Sequence, residues 1–390
     1  MSLAMAPIHV HLRTLADDLG VVDMEPDSKV SKLKDVVALN WKIPKSCQRL
    51  LFSSEQLELL DSAVIGLCVG AGTGISLPVT CIVSLNLILQ QLKSESKYCV
   101  IAALEELGKL GPKGGELAIA AVTERLHDEV PEVQVAAIET LAMVTYPGDR
   151  DAVNQMIRML AAERREVRIA ALETLGQHAC GFNQQSIAAV RSHMANLDWQ
   201  VRLTAVKAVG AIAEVGDTRA LAMLRAALTS AKEHGLVRRA AAESLVAVAE
   251  KGDQSSIDAL TACLSDRAGE LREAASRCLC QVAEKGDRDA LAPVFAQLEN
   301  EDWCTSLAAA RVVGHVIVGD SSAITSVLRN LDHANSRARL IALRVLRGIA
   351  GRDEPRVIKA LRRRCDDRSA DVRNAAVEIL GKFGAMLSTS

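Results

Sequence analysis

The sequence predicts an α-solenoid of about nine stacked helix pairs, preceded by a small α+β domain. Three observations predict it. A phrase recurs at intervals of 33–36 residues; the composition is aliphatic and nearly free of aromatics; and the pattern changes before residue 85. The recurrence is plain in "VRLTAVKAVGAIAEVGD" from Val201, "VRRAAAESLVAVAEKGD" from Val237 and "LREAASRCLCQVAEKGD" from Leu271. Of the 390 residues 49% are hydrophobic and only 2% aromatic, so Ala, Leu, Val and Ile must fill the core. That suits close-packed helices better than sheets, which favour β-branched and aromatic side chains.

The first elements read differently from the rest. "IHVHLRTL" (Ile8–Leu15) alternates like a strand. A helix is expected over Asp27–Lys42, opened by Ser28, with Val30, Leu33, Val37 and Trp41 at helical spacing. "IP" and "CQRLLFSSEQLE" (Cys47–Glu58) follow, then a glycine-rich insertion near 62–78 and a last strand at Pro78–Ser84. From Ser62 to Leu92 no residue is charged. A membrane helix needs about 20 apolar residues, but Gly66, Gly70, Gly72, Gly74 and Pro78 interrupt this run and no basic cluster flanks it, so no span is expected. "GAGTG" (Gly70–Gly74) lacks the strand–helix setting of a phosphate loop.

Then come the repeats. With the Arg of "VR" as position zero, the copies fall at Val100, Gln134, Arg168, Arg202, Arg238, Arg272, Ser306, Arg339 and Arg373. Three residues on, every copy has Ala, and seven on, every copy has Leu or Val. Positions −1, +3 and +7 therefore form one helical stripe, with the alanines where a neighbouring backbone comes close. Leu92 lies eight residues before Val100, as Leu126, Leu160 and Leu298 do before their zero positions, so Leu85–Leu92 is the first helix of repeat one. Several second helices end in Gly-Asp, at 216–217, 252–253, 286–287 and 319–320. Gly suits a helix C-cap and Asp the N-cap of the next helix. A single pair cannot bury both its apolar faces, so the pairs must stack. The boundaries expected are 1–84 and 85–390.

These residues carry two resemblances. The period, the paired helices, the "VR" opening the second helix and the Asp six residues before it (Asp128, Asp266, Asp367; Asn196 and Asn300 elsewhere) resemble HEAT repeats of the Ala-rich, bilin-lyase-like subtype. The resemblance covers about residues 85–387. It implies an inter-repeat Arg–Asp ladder, interrupted where Val100, Gln134 and Ser306 stand at position zero. The N-terminal part resembles ubiquitin-like (β-grasp) domains through Glu25-Pro26, Ile43-Pro44, Gln48-Arg49-Leu50-Leu51-Phe52 and Gln56-Leu57-Glu58. That resemblance puts Leu51 at the position of ubiquitin's patch isoleucine and Glu55 at that of its main linking lysine. No free Gly-Gly tail follows, so conjugation is not implied. Leu51 either docks onto ubiquitin receptors or is ordinary strand surface, and the domain either recruits the proteasome and its pathway or only caps the first repeat. The C-terminal "GKFG" (Gly381–Gly384) leaves the last repeat a surface for self-association.

The search for chemistry gives little. None of the eight histidines is followed by Glu, as the di-iron relatives of these repeats require, and no hydrolase, zinc-protease or nucleotide motif occurs. The ten cysteines are scattered without C-x-x-C, which points to a reducing compartment and to no metal site. Cys180 and Cys304 have no evident His-Asp setting. The N-terminus lacks a secretory pattern. No catalytic residue and no cofactor is expected, although bilin-lyase-like activity has no motif by which to exclude it.

One column reads as a surface. Five residues after each zero position stand Glu105, Glu139, Glu173, Lys207, Glu243, Arg277, Arg311, Arg344 and Glu378, charged in every copy. In HEAT solenoids the second helices line the concave face, so this column is either a solvated face or a bipolar groove, acidic early and basic from Arg277 to Arg344. Arg356, Lys359, Arg362, Arg363 and Arg364 add to the basic end. Interleaved acids, few aromatics and a net charge of −2 argue against nucleic acid. The expectation is a non-enzymatic scaffold or adaptor for protein partners, cytoplasmic or nuclear. The alternatives are a bilin-lyase-like enzyme or cofactor chaperone, and a structural subunit capped by its N-terminal domain.

Overall fold

The computed structural model describes residues 8–13, 18–52, 57–63, 65, 76–179, 183–317, 319–351 and 354–383. The glycine-rich stretch from Gly66 to Gly74, Glu55, Gln56, Cys180 and the chain after Phe383 lie outside the described residues. The described part is mostly helical, a solenoid behind a small mixed sheet.

The sheet has β1 (Ile8–Arg13), β2 (Asp18–Met24), β3 (Gln48–Phe52), β4 (Leu57–Glu58) and β5 (Ser76–Val83), with α1 (Val30–Trp41) between β2 and β3. Its order is β2-β1-β5-β3-β4. β1 and β5 run parallel, and the other neighbours antiparallel. Alternate residues Val10, Leu12, Leu50, Leu77, Val79 and Cys81 are buried, as is the stripe Val30, Leu33 and Val37 on α1. The Gln48 side chain donates to the carbonyls of Lys34 (3.0 Å) and Ile43 (2.7 Å), which fixes the entry to β3.

Two expectations shift here, and a third runs out of the described residues. The strand from Ile8 ends at Arg13, and Thr14 and Leu15 lie outside the described residues. The last strand starts two residues earlier than expected, at Ser76, because β1 pairs with it from His9↔Ser76 onward. The helix expected over 27–42 begins at Val30, and no side chain caps it. The N–H groups of Val30 and Ser31 donate instead to the carbonyls of Ala63 and Asp61, so a distant segment satisfies the first orphan donors.

Nine helix pairs follow among the described residues. They are α2 (Asn86–Gln91) with α3 (Lys97–Leu110), α4 (Gly115–Arg125) with α5 (Pro131–Val144), α6 (Arg150–Met159) with α7 (Arg165–His178), α8 (Asn183–Arg191) with α9 (Trp199–Ile212), and α10 (Thr218–Thr229) with α11 (Gly235–Val248). The remaining four are α12 (Gln254–Ala262) with α13 (Gly269–Val282), α14 (Ala292–Ala296) with α15 (Trp303–Val316), α16 (Ser321–Asn330) with α17 (Ser336–Ile349), and α18 (Pro355–Arg364) with α19 (Ala370–Lys382). The chain divides into two compact units, Met1–Phe182 and Asn183–Ser390. The first holds the sheet with three pairs, the second holds six.

In the first unit the sheet is tied to the repeats. Ser46 donates to Glu106 (3.0 Å), and the Lys113 ammonium donates to the Trp41 carbonyl (2.6 Å) at the end of α1. Within each unit the second helices pack in series, and the −1, +3, +7 stripe is buried, as in Val201, Ala205 and Val209 or Val237, Ala241 and Leu245. Glycine lets them come closer still. A Cβ on Gly210 would lie 2.5 Å from the Ser244 Cβ, and one on Gly314 would run into Ile349.

The Gly-Asp turns join successive repeats. Gly148, Gly216, Gly252, Gly286 and Gly319 have φ of +83°, +85°, +79°, +84° and +78°. Glycine adopts this left-handed region without the penalty other residues meet. The N–H groups of Gly148, Gly216, Gly252 and Gly286 donate to His178, Val248, Val282 and Val316, each the last residue of the next second helix. The following Asp then caps the next first helix, as Asp149, Asp217, Asp253 and Asp320 do with side-chain bonds to backbone N–H groups.

Candidate interaction surface

Position zero sets the ridge of turns within the repeats. Arg202, Arg272, Arg339 and Arg373 each donate to the backbone carbonyls six and five residues earlier. Arg168 does the same to Ala162 and Glu163. Gln134 keeps half of this grip, donating to Asp128 O at 2.8 Å. The rest of the guanidinium reaches forward. Arg339 holds both oxygens of Asp367 (2.8 and 2.7 Å), and Arg238 holds Asp266 at 2.5 Å. Arg202 finds Glu233 rather than the residue six before the next zero position, Lys232. The side chains of Arg339 and Asp367 are 11% and 3% exposed. The Arg339 guanidinium drives the Asp367 carboxyl down to about 2 despite its burial. At Ser306 the ladder is replaced by a buried hydroxyl cluster, in which Ser306 and Ser326 both donate to Leu298 O.

A second series of contacts lies at the Gly-Asp turns. Gln184 donates to Asp217, Arg225 to Asp253 and Arg288 to Asp320, each linking one repeat to the next. The sequence shows these Asp residues as caps, but not their partners. The offsets are 33, 28 and 32 residues, so no column forms.

The charged column lies on the second helices. Glu105, Glu139 and Glu173 are exposed in the first unit, as are Lys207, Glu243, Arg277, Arg344 and Glu378 in the second. Arg311 is half-buried, with its Nε donating to Ser276 of the preceding repeat. Neighbouring members meet: Arg277 lies 3.9 Å from Glu243, which Arg239 also holds at 3.0 Å. Glu378 is held by Lys382 (2.7 Å) and Arg347 (3.6 Å), and these cations keep its carboxyl below the usual range. Arg344 makes no hydrogen bond or ion pair among the described residues. With Leu340, Arg347, Asp371, Asn374 and Glu378 it lines a depression of about 490 Å³ between α17 and α19.

The other basic residues sit elsewhere. Arg356, Lys359, Arg362, Arg363 and Arg364 are on α18, a first helix, and not on the second-helix layer. Leu51 on β3 is half-buried. It pairs with Thr80 on β5 and Glu58 on β4, in the middle of the sheet.

Seven of the thiols are poor nucleophiles. Burial pushes Cys81, Cys278 and Cys280 up to about 11 and raises Cys47, Cys263, Cys304 and Cys365, so these stay protonated near neutral pH. Among the described residues no group of His, Cys, Asp and Glu is arranged to hold a metal ion, and no helix is long and apolar enough to cross a membrane.

The model of HEAT repeats matches residues 85–176, 119–210, 187–280 and 257–347, which together run from 85 to 347, more than half of the chain. No curated protein matches by sequence. Solved structures of karyopherins share the fold. Kap95p, in a structure concerned with its binding to RanGDP, is 13% identical with a TM-score of 0.57, over 77% of this chain and 45% of that one. Importin beta is 17% identical with a TM-score of 0.53, over 76% and 47%. The karyopherin Kap121p, bound to the extreme C-terminus of the protein phosphatase Cdc14p, is 14% identical with a TM-score of 0.54, over 77% and 37%. The chain thus spans less than half the length of these karyopherins.

Proposed function

The chain belongs to the HEAT-repeat family, and from that premise we propose that it is a non-enzymatic scaffold whose second-helix column holds a protein partner. The observation that carries this reading is the exposed charge column. Eight of its nine members are exposed, on helices that pack in series within each unit. Within each unit, stacked repeats present their part of such a column as an extended surface. Kap95p, which binds RanGDP, and Kap121p, bound to the extreme C-terminus of a protein phosphatase, support the same use of this fold. The depression around Arg344, where one guanidinium is uncommitted, is the part of the column best placed to take a partner's carboxylate.

We also propose that residues 1–84 form a ubiquitin-like domain that docks ubiquitin-pathway machinery through Leu51. The strand order 2-1-5-3-4, with the first and last strands parallel and a helix between the second and third, supports it. The domain's grip on the first repeats, through Ser46–Glu106 and Lys113–Trp41, fits a cap as well, and one domain can serve both purposes.

The test is affinity capture from native lysate with mass spectrometry, using full-length protein, full-length Leu51→Asp and full-length Arg277→Glu/Arg344→Glu. The arginine variant is expected to lose a partner that the other two retain. Loss of proteasome or ubiquitin-pathway proteins from Leu51→Asp alone would support docking. If all three recover the same proteins, both the column and the Leu51 proposals fall.

A further inference from the structure

The last repeat carries a second concentration of charge on its other layer. α18 contains no acidic residue, and its Arg356, Lys359, Arg362 and Arg363 are exposed while Val357 and Leu361 are buried. Arg364 is engaged, bonding Asp332 and Asp367. Arg356 pairs with Glu354 at 2.7 Å while remaining half exposed. Lys359, Arg362 and Arg363 make no hydrogen bond or ion pair among the described residues. A helix C-terminus favours cations, but the effect fades beyond the last turn. Arg362, Arg363 and Arg364 already fill that turn. Lys359 lies before it and Arg356 stands in the first turn, where the dipole opposes it. The chain as a whole is slightly acidic, so the stripe is not an overflow of general basicity.

We propose that the exposed face of α18 is a docking site for an acidic protein segment, separate from the second-helix column. Arg356, Lys359 and Arg363 stand at i, i+3 and i+7 on one face and span about 10 Å along the axis. Carboxylates at alternate positions of an extended segment recur about every 6.8 Å, so two or three of them cover that span. The charges on the neighbouring first helix are paired. On α16, Arg329 faces Glu299 at 3.7 Å, and Asp332 follows. No large apolar or aromatic side chain of α18 is exposed, so the face lacks both the apolar wedge a bilayer takes up and the platform on which bases stack.

The test is fluorescence anisotropy with a labelled seven-residue peptide of alternating Glu and Ser, and the same peptide with Gln for Glu. Salt is held at about 150 mM, where the screening length is about 8 Å and contact is required. The Glu peptide is expected to bind the full-length protein at least about tenfold more tightly than the Gln peptide. Lys359→Glu/Arg362→Glu/Arg363→Glu abolishes that preference, and Arg277→Glu/Arg344→Glu leaves it intact. The milder Lys359→Gln/Arg362→Gln/Arg363→Gln, checked for unchanged circular dichroism and melting, carries the test if the reversal unfolds the repeat. Equal affinity for the two peptides, or retention of the preference in the folded α18 variants, overturns the proposal. So does its loss in the second-helix variant, which would place the site in the column instead. Tighter binding to phosphatidylserine vesicles or to a DNA duplex than to the Glu peptide overturns it as well.

Discussion

Arg339 and Arg272 stand in the same column, and the residue six positions before the next copy differs between them. Both grip the two carbonyls at the turn of their own repeat, His333 and Ala334 in one case, Asp266 and Arg267 in the other. Ahead of Arg339 lies Asp367, which it takes with two bonds. Ahead of Arg272 lies Asn300, whose amide donates to Gln297 and whose oxygen accepts from the Asp302 N–H. The difference separates two tasks of one side chain. The backward grip shapes a repeat, and the forward one couples it to the next. In a quasi-one-dimensional fold these are distinct contributions, the intrinsic stability of a unit and the interface between units.

The forward bond is where the largest effect is expected. Arg339→Ala leaves the buried Asp367 with Arg364 as its remaining cation, and breaking a buried pair from one side costs about 3 kcal/mol. Chemical denaturation of wild type and variant near neutral pH reads this directly. The same pair defines an acid window. Asp367 titrates near 2 when folded, below the ordinary carboxylate value of about 3.9, so its contribution is complete above about pH 4. It is lost as pH falls toward 2. The stability gap between wild type and Arg339→Ala should therefore narrow over that range, and a gap constant with pH would show that the carboxylate is not what Arg339 stabilises.

The Gly-Asp turn at Gly216 offers a contrasting way to couple repeats, through a backbone bond beside a neutral contact from Gln184 to Asp217. Gly216→Ala keeps the Asp217 cap but places a side chain at φ +85° and a Cβ 2.8 Å from the Glu250 Oε1. The left-handed conformation costs about 1–2 kcal/mol for a residue with a Cβ. The loss should not depend on salt, since the bond it strains runs from the Gly216 N–H to the Val248 carbonyl. Salt titration of the melting temperature thus separates this turn from the arginine ladder.

How far these contacts were legible follows from what fixes each residue. The −1, +3, +7 stripe and the glycine of the turn are dictated by size and backbone conformation, so they recur in type and can be read off. The exposure of the charged column is legible because charged side chains are rarely buried without a partner, and Arg311, half-buried, has one in Ser276. The partners of the capping aspartates are not legible, because Gln184, Arg225 and Arg288 reach them from shifting offsets. Proximity in the chain also misleads. Arg356–Arg364 follow Arg344 closely, yet a turn places them on the first-helix layer. The start of α1 is closed by Asp61 and Ala63, and no pattern near Ser28 encodes a contact from more than thirty residues away.

The smallest predicted effect tests the opening contrast most directly. Asn300→Asp preserves the acceptor that Asp302 uses, since Asp266 and Asp367 make the same local bond to the residue two positions on. What it adds is a carboxylate facing Arg272, whose guanidinium is already held in place by two carbonyls, so little side-chain entropy remains to be lost. A pair of this kind, partly exposed, should stabilise by about 0.5–1 kcal/mol and weaken with salt. The gain must vanish in an Arg272→Gln background, which a double-mutant cycle measures. A gain that persists without the arginine would mean the aspartate acts on the helix N-terminus of α15 alone. The forward half of the ladder would then not be set by the single residue six positions before the next repeat.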